Sequence, residues 1–275
     1  MRTLAFLLAA LATTVAAAGT NIDPGNDGSR YAWSENLGWI NAKPLGDGGP
    51  GLEVRDFAVT GYAWSENAGW ISFSCENTGS CAAARWGVTN DGHGHLAGYA
   101  WAENAGWIDI GALFAGVSID PATGEFAGHA WGENVGWIAF AADGAAPFRL
   151  RTAWRCFPVP VPPAGAIALF LDRAGESIGL EWNAVPGASA YDVQRGSLLR
   201  LAASGGDFAV ATEACESRKQ PGTALVTSSD STPGAGSWYV VRAANCGGAG
   251  SFDDDGPGLA RSRDPGVAAS PEHCP

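Results

Sequence analysis

The chain has 275 residues, among them 39 glycines and 12 tryptophans, and its formal net charge is −12. So acidic a chain argues against nucleic acid or an anionic membrane as partner, because both would repel it. The charge is compatible with calcium binding or with nothing more than the solubility of the folded chain, and we favour solubility. The length fits two domains, and the abundance of glycine and tryptophan favours a β-rich fold.

Residues 1–18 have the pattern of a secretory signal peptide. Arg2 precedes an apolar run from Leu4 to Val15, and three alanines then lead to an expected cleavage site before Gly19. The run is too short to cross a bilayer as a helix, and no later stretch is long and apolar enough. We therefore expect an exported protein, periplasmic or extracellular, without a membrane span.

The six cysteines are an even number in an oxidising compartment, which predicts three disulfides and no free thiol nucleophile. The sequence does not fix the connectivity. We favour a small closed loop, one bond inside the second domain and a third bond by elimination: Cys75–Cys81, Cys215–Cys246 and Cys156–Cys274.

The first domain, residues 19–155, is built around four copies of one ten-residue string. These are YAWSENLGWI at 31–40, YAWSENAGWI at 62–71, YAWAENAGWI at 99–108 and HAWGENVGWI at 129–138. Successive copies start 31, 37 and 30 residues apart, which is typical of repeat architectures.

Each copy predicts a β-hairpin, because aromatic and β-branched residues flank a Glu-Asn-x-Gly turn. A three-residue loop puts Trp64 and Trp70 on one face, Ala63 and Ile71 on the other, and Glu66 opposite Trp70. A four-residue loop would split the two tryptophans between the faces. We favour the shorter loop, because the apolar residues upstream of the hairpin then fall on the same face as Ala63 and Ile71 and extend it.

An upstream strand makes each unit a three-strand meander of roughly 30 residues. Both faces of the hairpin are apolar, so the units are expected to bury one another. Four units can form a small propeller or a linear stack, and the spacing does not separate the two. The segment Pro147–Trp154 resembles one more opening strand, which could close or cap the array.

A proline-rich linker, residues 156–163, leads to the second domain, residues 164–275. There the sequence gives strand, turn and strand over 180–195, and a later strand with an edge hairpin over 238–251. These segments resemble a fibronectin type III module, with Leu180 and Trp182, Tyr191 and Val193, and Tyr239, Val241 and Ala243 at its buried strand positions. The resemblance implies a β-sandwich, and hence an all-β, two-domain protein. The tryptophan repeats are similar to those of exported proteobacterial proteins. This resemblance implies where the protein is located more than what activity it has.

The repeated glutamates invite a catalytic interpretation, but acid–base catalysis needs two carboxyls in different environments. The four copies place their glutamates in matching environments, which does not suit this requirement. We therefore expect each glutamate to accept hydrogen bonds from turn amides or an indole N–H. The neighbouring asparagines suit turns, where their side chains bond nearby backbone. We predict no catalytic residue.

Metal signals are weak, and we predict neither a metal site nor a cofactor. His93 and His95 lack a third ligand nearby. The turns around Asp23, Asn26 and Asp27, and at Asp253–Asp255, offer oxygen atoms without the spacing of a calcium loop.

The tryptophan pairs admit a functional interpretation, since flat aromatic faces beside a carboxylate and an amide are suited to binding sugars. Four weak sites on one rigid array would gain avidity on a polymer. We nevertheless favour packing between repeats, because eight tryptophans are too much apolar surface to leave exposed. The candidate ligand-binding residues are Trp33, Glu35, Asn36, Trp39, Trp64, Glu66, Asn67, Trp70, Trp101, Glu103, Asn104, Trp107, Trp131, Glu133, Asn134 and Trp137.

The sequence thus favours an exported, non-enzymatic structural or interaction protein of the bacterial surface. Its expected partners are other surface proteins or a polysaccharide. The alternative is a carbohydrate-binding protein that uses the repeated Trp, Glu and Asn clusters, and a glycoside hydrolase is a distant third.

Overall fold

The computed structural model describes residues 19–45, 51–112, 116–175, 177–228, 236–253 and 262–275, so the predicted signal peptide lies outside the described part. The fold is all-β apart from a few short helices. Within the described ranges, no helix is long and apolar enough to cross a membrane.

The repeat region contains fourteen strands and one 3₁₀ helix, Cys75–Thr78. The strands are β1 (Tyr31–Ser34), β2 (Gly38–Asn41), β3 (Leu52–Val54), β4 (Ala58–Ser65), β5 (Gly69–Ser72), β6 (Val88–Asn90), β7 (Leu96–Ala102), β8 (Gly106–Asp109), β9 (Ser118–Ile119), β10 (Phe126–Ala127), β11 (His129–Gly132), β12 (Gly136–Ala139), β13 (Ala141–Ala142) and β14 (Phe148–Arg149).

The four predicted hairpins join edge to edge in one closed, eight-stranded antiparallel barrel. Around the barrel the order is β2, β1, β12, β11, β8, β7, β5 and β4, and the pairing of β2 with β4 closes it. This closed barrel takes the place of the propeller or linear stack expected from the sequence. Closure leaves none of the eight strands with an unpaired edge.

The interior of the barrel is filled by small aliphatic side chains from every repeat. The alanine of each first strand and the isoleucine of each second strand point inward and are at most 5% exposed, as for Ala63 and Ile71. The third loop residue closes one end, since Leu37, Ala68 and their two equivalents are buried as well. Little space is left, because an eight-stranded barrel is only wide enough for its own side chains.

The predicted separation of faces is confirmed, and the predicted register is wrong by two residues. Trp64 pairs with Trp70 and Ala63 with Ile71, while Ser65 pairs with Gly69, so Glu66 lies in the three-residue loop and not opposite Trp70. Gly69 has the expected positive φ of 72°. The buried Ser65 hydroxyl supports the turn in this register, because its oxygen accepts the backbone N–H groups of Asn67 at 3.2 Å and Ala68 at 3.4 Å.

Upstream strands extend the hairpins as predicted: β3 pairs with β4, and β6 with β7. The segment 147–154 also closes the array as expected. An isolated bridge joins Ile22 to Thr152, and the Ala153 N–H donates to the Asn21 carbonyl at 2.7 Å. The beginning and end of the repeat region are therefore held together.

The C-terminal part consists of a three-stranded and a four-stranded sheet around one core. The strands are β15 (Leu169–Ala174), β16 (Ser177–Trp182), β17 (Ala190–Ser197), β18 (Thr212–Gln220), β19 (Ala224–Ser228), β20 (Ser237–Asn245) and β21 (Gly248–Ala249), with helices α1 (Leu198–Ala203), α2 (Phe208–Ala211) and α3 (Asp264–Ala269). The sheet orders are β15-β16-β19 and β18-β17-β20-β21. Leu180, Trp182, Tyr191, Val193 and Val241 meet in the core between them.

The six cysteines form three disulfides, as predicted, but only one predicted pair is correct. Cys75–Cys81 is confirmed, whereas the other bonds are Cys156–Cys246 and Cys215–Cys274. Elimination failed because Cys246, at the end of β20, faces the repeat region and not the interior of its own domain. The bond from Cys156 to Cys246 therefore ties the two parts of the chain together covalently.

Asp56 reinforces this junction by accepting three hydrogen bonds. Its carboxylate binds the indole N–H of Trp154 at 2.8 Å, the hydroxyl of Ser189 at 2.7 Å and the backbone N–H of Cys246 at 3.0 Å. The linker follows the second domain closely, since the Asn245 amide donates to the Val161 carbonyl at 2.9 Å. The junction is thus built from both domains and the linker.

Candidate functional site: an aromatic belt around the barrel

The tryptophans of the repeats lie on the outer surface of the barrel, so the prediction that the repeats bury them against one another is wrong. Seven of the eight keep between 37% and 49% of their surface exposed, and Trp101 is partly exposed. The reason is the closure of the barrel, whose narrow interior admits alanine and isoleucine but not indole rings. We call the eight residues the aromatic belt: Trp33, Trp39, Trp64, Trp70, Trp101, Trp107, Trp131 and Trp137.

Each hairpin presents its aromatic rings in one fixed arrangement. The two tryptophans of a copy meet edge to face, with centroids 4.8 to 5.1 Å apart and planes at 61° to 70°. In three copies the tyrosine packs against the second tryptophan, with centroid distances between 5.8 and 6.2 Å. Such contacts are favourable for aromatic pairs, so the rings are positioned before any ligand arrives.

Three grooves separate neighbouring hairpins along the belt, with volumes of about 360, 470 and 670 Å³. Volumes of this size fit small-molecule sites. Each groove takes a tyrosine and two tryptophans from one hairpin, and a tryptophan, a glutamate and an asparagine from the next. Groove A is lined by Tyr31, Trp33, Trp39, Trp64, Glu66 and Asn67. Groove B is lined by Tyr62, Trp64, Trp70, Trp101, Glu103 and Asn104. Groove C is lined by Tyr99, Trp101, Trp107, Trp131, Glu133 and Asn134.

No family model matches the chain, and neither does any curated protein.

A further polar residue, which was not predicted from the sequence, lines each groove. Asn41 pairs with Trp64, Ser72 with Trp101, and Asp109 with Trp131. These residues directly follow the repeated string, two positions after its second tryptophan, and therefore point outward as that tryptophan does. The alternation of side chains between the two faces of the strand was the sequence signal that could have identified them. Trp86 was missed too, and it adds a fifth aromatic ring to groove C.

The interface between the fourth and first hairpins carries different side chains. His129 stands where the other copies have tyrosine, and Ala139 takes the position of the polar residue opposite Trp33. This fourth interface therefore lacks both the phenol ring and the polar group, which makes it an internal control for the three grooves.

The glutamates of all four copies are exposed, and the hydrogen bonds predicted from turn amides and indoles do not form. No described residue donates a hydrogen bond to Glu35, Glu66, Glu103 or Glu133, and none forms an ion pair with them. These carboxylates are thus open to a ligand and hold no part of the fold together.

The asparagines, in contrast, have a structural role between repeats. The Asn67 amide donates to the Leu37 carbonyl at 3.4 Å, and the Asn104 amide donates to the Ala68 carbonyl at 3.3 Å. The accepting backbone belongs to the preceding hairpin, and not to the residue's own turn as predicted. Each asparagine thus fixes the turn that carries the adjacent glutamate.

The oxygen-rich turn at Asp23 holds an ammonium group in place of a metal ion. The buried Lys43 side chain donates to the Asp23 carbonyl at 3.2 Å and to the Asn26 side chain at 2.8 Å. The Asp23 carboxylate accepts the backbone N–H of Asp27 at 2.9 Å.

The other weak metal signals do not form a cluster. The Asp91 carboxylate binds the His95 ring at 2.8 Å, and Asp254 and Asp255 lie outside the described residues. Across the described ranges, no three His, Cys, Asp or Glu side chains come together in a group that could hold a metal ion.

Proposed function

We propose that this protein is an exported, non-enzymatic carbohydrate-binding protein whose grooves A, B and C receive the sugar rings of a polysaccharide. The observation that carries the proposal is the outward position of the belt, with 37% to 49% of the surface exposed for seven tryptophans. Contiguous apolar surface of this kind usually marks an interaction site. Exposing so much apolar surface to water is energetically unfavourable unless a ligand covers it.

The chemistry of the grooves suits a pyranose ring better than a flat protein partner. A sugar ring has apolar C–H faces that stack on indole and a rim of hydroxyls that needs hydrogen-bond partners. Each groove offers both, since rigid aromatic rings stand beside one open glutamate and one further polar side chain. Three such grooves on one rigid barrel would engage neighbouring units of a polymer and gain avidity.

A second candidate, interaction with another surface protein, rests on the same exposed aromatic surface. Hydrolysis is less well supported, because a glycosidase commonly needs two carboxyls across the scissile bond. Grooves A and B are each lined by one carboxylate, Glu66 and Glu103 respectively, and only groove C has two, Asp109 and Glu133. The arrangement common to the three grooves therefore favours binding without turnover.

Export and the nature of the second domain belong to the same proposal. Three disulfides favour an oxidising compartment, in agreement with the signal-peptide pattern of residues 1–18. We propose that the second domain is a fibronectin type III-like sandwich that holds the barrel at a fixed angle. Its two sheets of three and four strands support this assignment.

The test is a titration of tryptophan fluorescence with soluble hexaoses of β-1,4-glucose, β-1,4-N-acetylglucosamine, β-1,4-glucosamine and α-1,4-glucose. Trp70→Ala removes an indole from groove B, and Trp137→Ala removes the equivalent indole at the fourth interface. The two are matched, with 41% and 49% exposure and one tryptophan partner each.

We expect at least one hexaose to change the fluorescence of the wild type, Trp70→Ala to weaken its binding, and Trp137→Ala to retain it. Thermal unfolding of both variants serves as the control that they are folded. If no hexaose binds, or if both variants lose affinity equally, the proposal is overturned and protein–protein interaction takes its place.

A further inference from the structure

We infer that groove C selects sugars that carry a protonated amine, such as the glucosamine units of a de-acetylated polysaccharide. The inference rests on the proposed function and narrows it for one groove. It starts from a difference between equivalent positions in the groove linings: Asn41 in groove A, Ser72 in groove B and Asp109 in groove C.

The fold does not need the negative charge of Asp109. Its Oδ1 accepts the backbone N–H of Gly111 at 3.0 Å, which closes a turn after the strand. The neutral Asn41 makes the same turn in the first repeat, where its Oδ1 accepts the backbone N–H of Lys43 at 2.9 Å. An amide thus serves the structure as well, and the charge at position 109 is available for a ligand.

The lining of groove C contains a second carboxylate besides Asp109, and neither has a counterion among the described residues. Asp109 lies opposite Trp131, and Glu133 follows two residues later in the same groove. Among the residues that the structure describes, no Lys, Arg or His forms an ion pair with Asp109 or Glu133. Two carboxylates in the lining of one groove attract a cationic ligand.

The aromatic lining of groove C favours a cation as well. Trp86 packs edge to face on Trp107, with centroids 5.3 Å apart, and so joins Tyr99, Trp101 and Trp131 around the groove. Indole faces attract ammonium groups through their quadrupole, most strongly where water is partly excluded. The formal charge of −12 adds a general attraction for cationic ligands.

An amino sugar has both features that the lining of groove C favours in a ligand. Its ring offers the apolar face that all three grooves bind, and its amine offers the positive charge that only the lining of groove C matches with two carboxylates. Groove A, with Asn41 and Glu66, is equipped for a neutral or weakly basic unit.

The experiment compares two hexaoses of equal length and linkage, β-1,4-glucosamine and β-1,4-N-acetylglucosamine, by isothermal titration calorimetry at low ionic strength. For the wild type we expect the glucosamine hexaose to bind about tenfold tighter, as for a partly desolvated cation–π and carboxylate contact. Asp109→Asn, which makes groove C resemble groove A, is expected to bring the ratio close to one.

Two further variants separate the local charge from the overall charge. Asp172→Asn removes the same charge from an exposed site on β15, far along the chain from the belt, and is expected to keep the wild-type ratio. Asn41→Asp, introduced into Asp109→Asn, puts a second carboxylate into the lining of groove A and is expected to restore a preference for the amine.

The outcomes are distinguishable. If the two hexaoses bind the wild type equally, or if Asp109→Asn leaves the ratio unchanged, the inference fails while the proposed function stands. If hexalysine binds as tightly as the glucosamine hexaose, unspecific charge attraction replaces the inference. If no hexaose binds at all, the proposed function fails with it.

Discussion

The side-chain amide of Asn36 donates a hydrogen bond to the Val135 carbonyl at 3.1 Å, and this bond joins the first hairpin to the fourth. The other three asparagines make the equivalent bond to the hairpin before them, so that four bonds form a closed ring around one end of the barrel. The ring gives a structural reason for an asparagine in every copy. It also separates the asparagines, which hold the barrel closed, from the glutamates, which have no such partner.

The first prediction concerns this ring. Asn36→Asp keeps the shape of the side chain but removes the donor and places a carboxylate near the Val135 carbonyl. We expect the free energy of unfolding to fall by about 1–2 kcal/mol, because the shorter of the two hydrogen bonds to the Val135 carbonyl is lost and only that from the Ser34 hydroxyl, at 3.4 Å, remains. Urea unfolding followed by circular dichroism measures it. Glu35→Gln, one residue away and without a partner in the described chain, is expected to change stability by less than about 0.5 kcal/mol. Equal losses in both variants would contradict the ring.

The second prediction compares the two faces of the barrel with one substitution. Ala130 points into the barrel and is fully buried, whereas Ala139 lies on the neighbouring strand at the partly exposed outer face. Ala130→Leu would overpack the interior, and we expect it to cost about 1–3 kcal/mol. Ala139→Leu is expected to cost less than about 0.5 kcal/mol. Thermal unfolding compares the two, and a larger loss for Ala139→Leu would mean that the faces are assigned the wrong way round.

Much of the hairpin could be predicted from the sequence, because a period of two ties each tryptophan to one face whatever the exact register. That alternation places Trp64 and Trp70 on one face, but it does not give their pairing, because the predicted register differs from the observed one by two residues. Which face turns inward did not follow. Both faces are apolar, and the choice depends on closure: Ala63 and Ile71 fit inside an eight-stranded barrel and indole rings do not.

The contact between Asp56 and Cys246 could not be predicted from the sequence for a related reason. Both belong to contacts between segments about 190 residues apart, and local patterns carry no information on such contacts. For the same reason the disulfide pairs, chosen by domain and by elimination, came out wrong for Cys156 and Cys215. Asp109 could have been found, since it continues the outward parity of Trp107 on β8.

The third prediction concerns the junction of the two domains. Asp56→Ala leaves the buried indole N–H of Trp154 and the backbone N–H of Cys246 without an acceptor. Hydrogen bonds to a charged group contribute about 1.5–3 kcal/mol each, so we expect the free energy of unfolding to fall by about 3 kcal/mol. Limited proteolysis is expected to cut faster within residues 157–163, because the linker loses part of its support. Asp172→Ala serves as control, and equal stability and cleavage of the two variants would show that Asp56 does not hold the junction.

The last prediction is a pH dependence that arises at Asp91. Burial would raise the pKa of its carboxyl, but hydrogen bonds from the His93 backbone and from the ring and backbone of His95 outweigh it and hold the pKa below the ordinary 3.8. The unfolded chain therefore binds this proton more tightly than the folded chain. The stabilisation is complete above pH 3.8 and is lost as the pH falls through the lower pKa of the folded state.

Asp91→Asn removes this titration while its Oδ1 can still accept a backbone N–H. We expect the variant to be less stable than the wild type at pH 7, and the difference to shrink when thermal unfolding is repeated at successively lower pH below 3.8, as the carboxyl of folded Asp91 takes up its proton. Asp172→Asn, at an exposed carboxylate without partners in the described chain, provides the baseline. A difference between wild type and Asp91→Asn that stays constant or grows on acidification would show that the loop at 91–95 is not held by the ionised carboxylate.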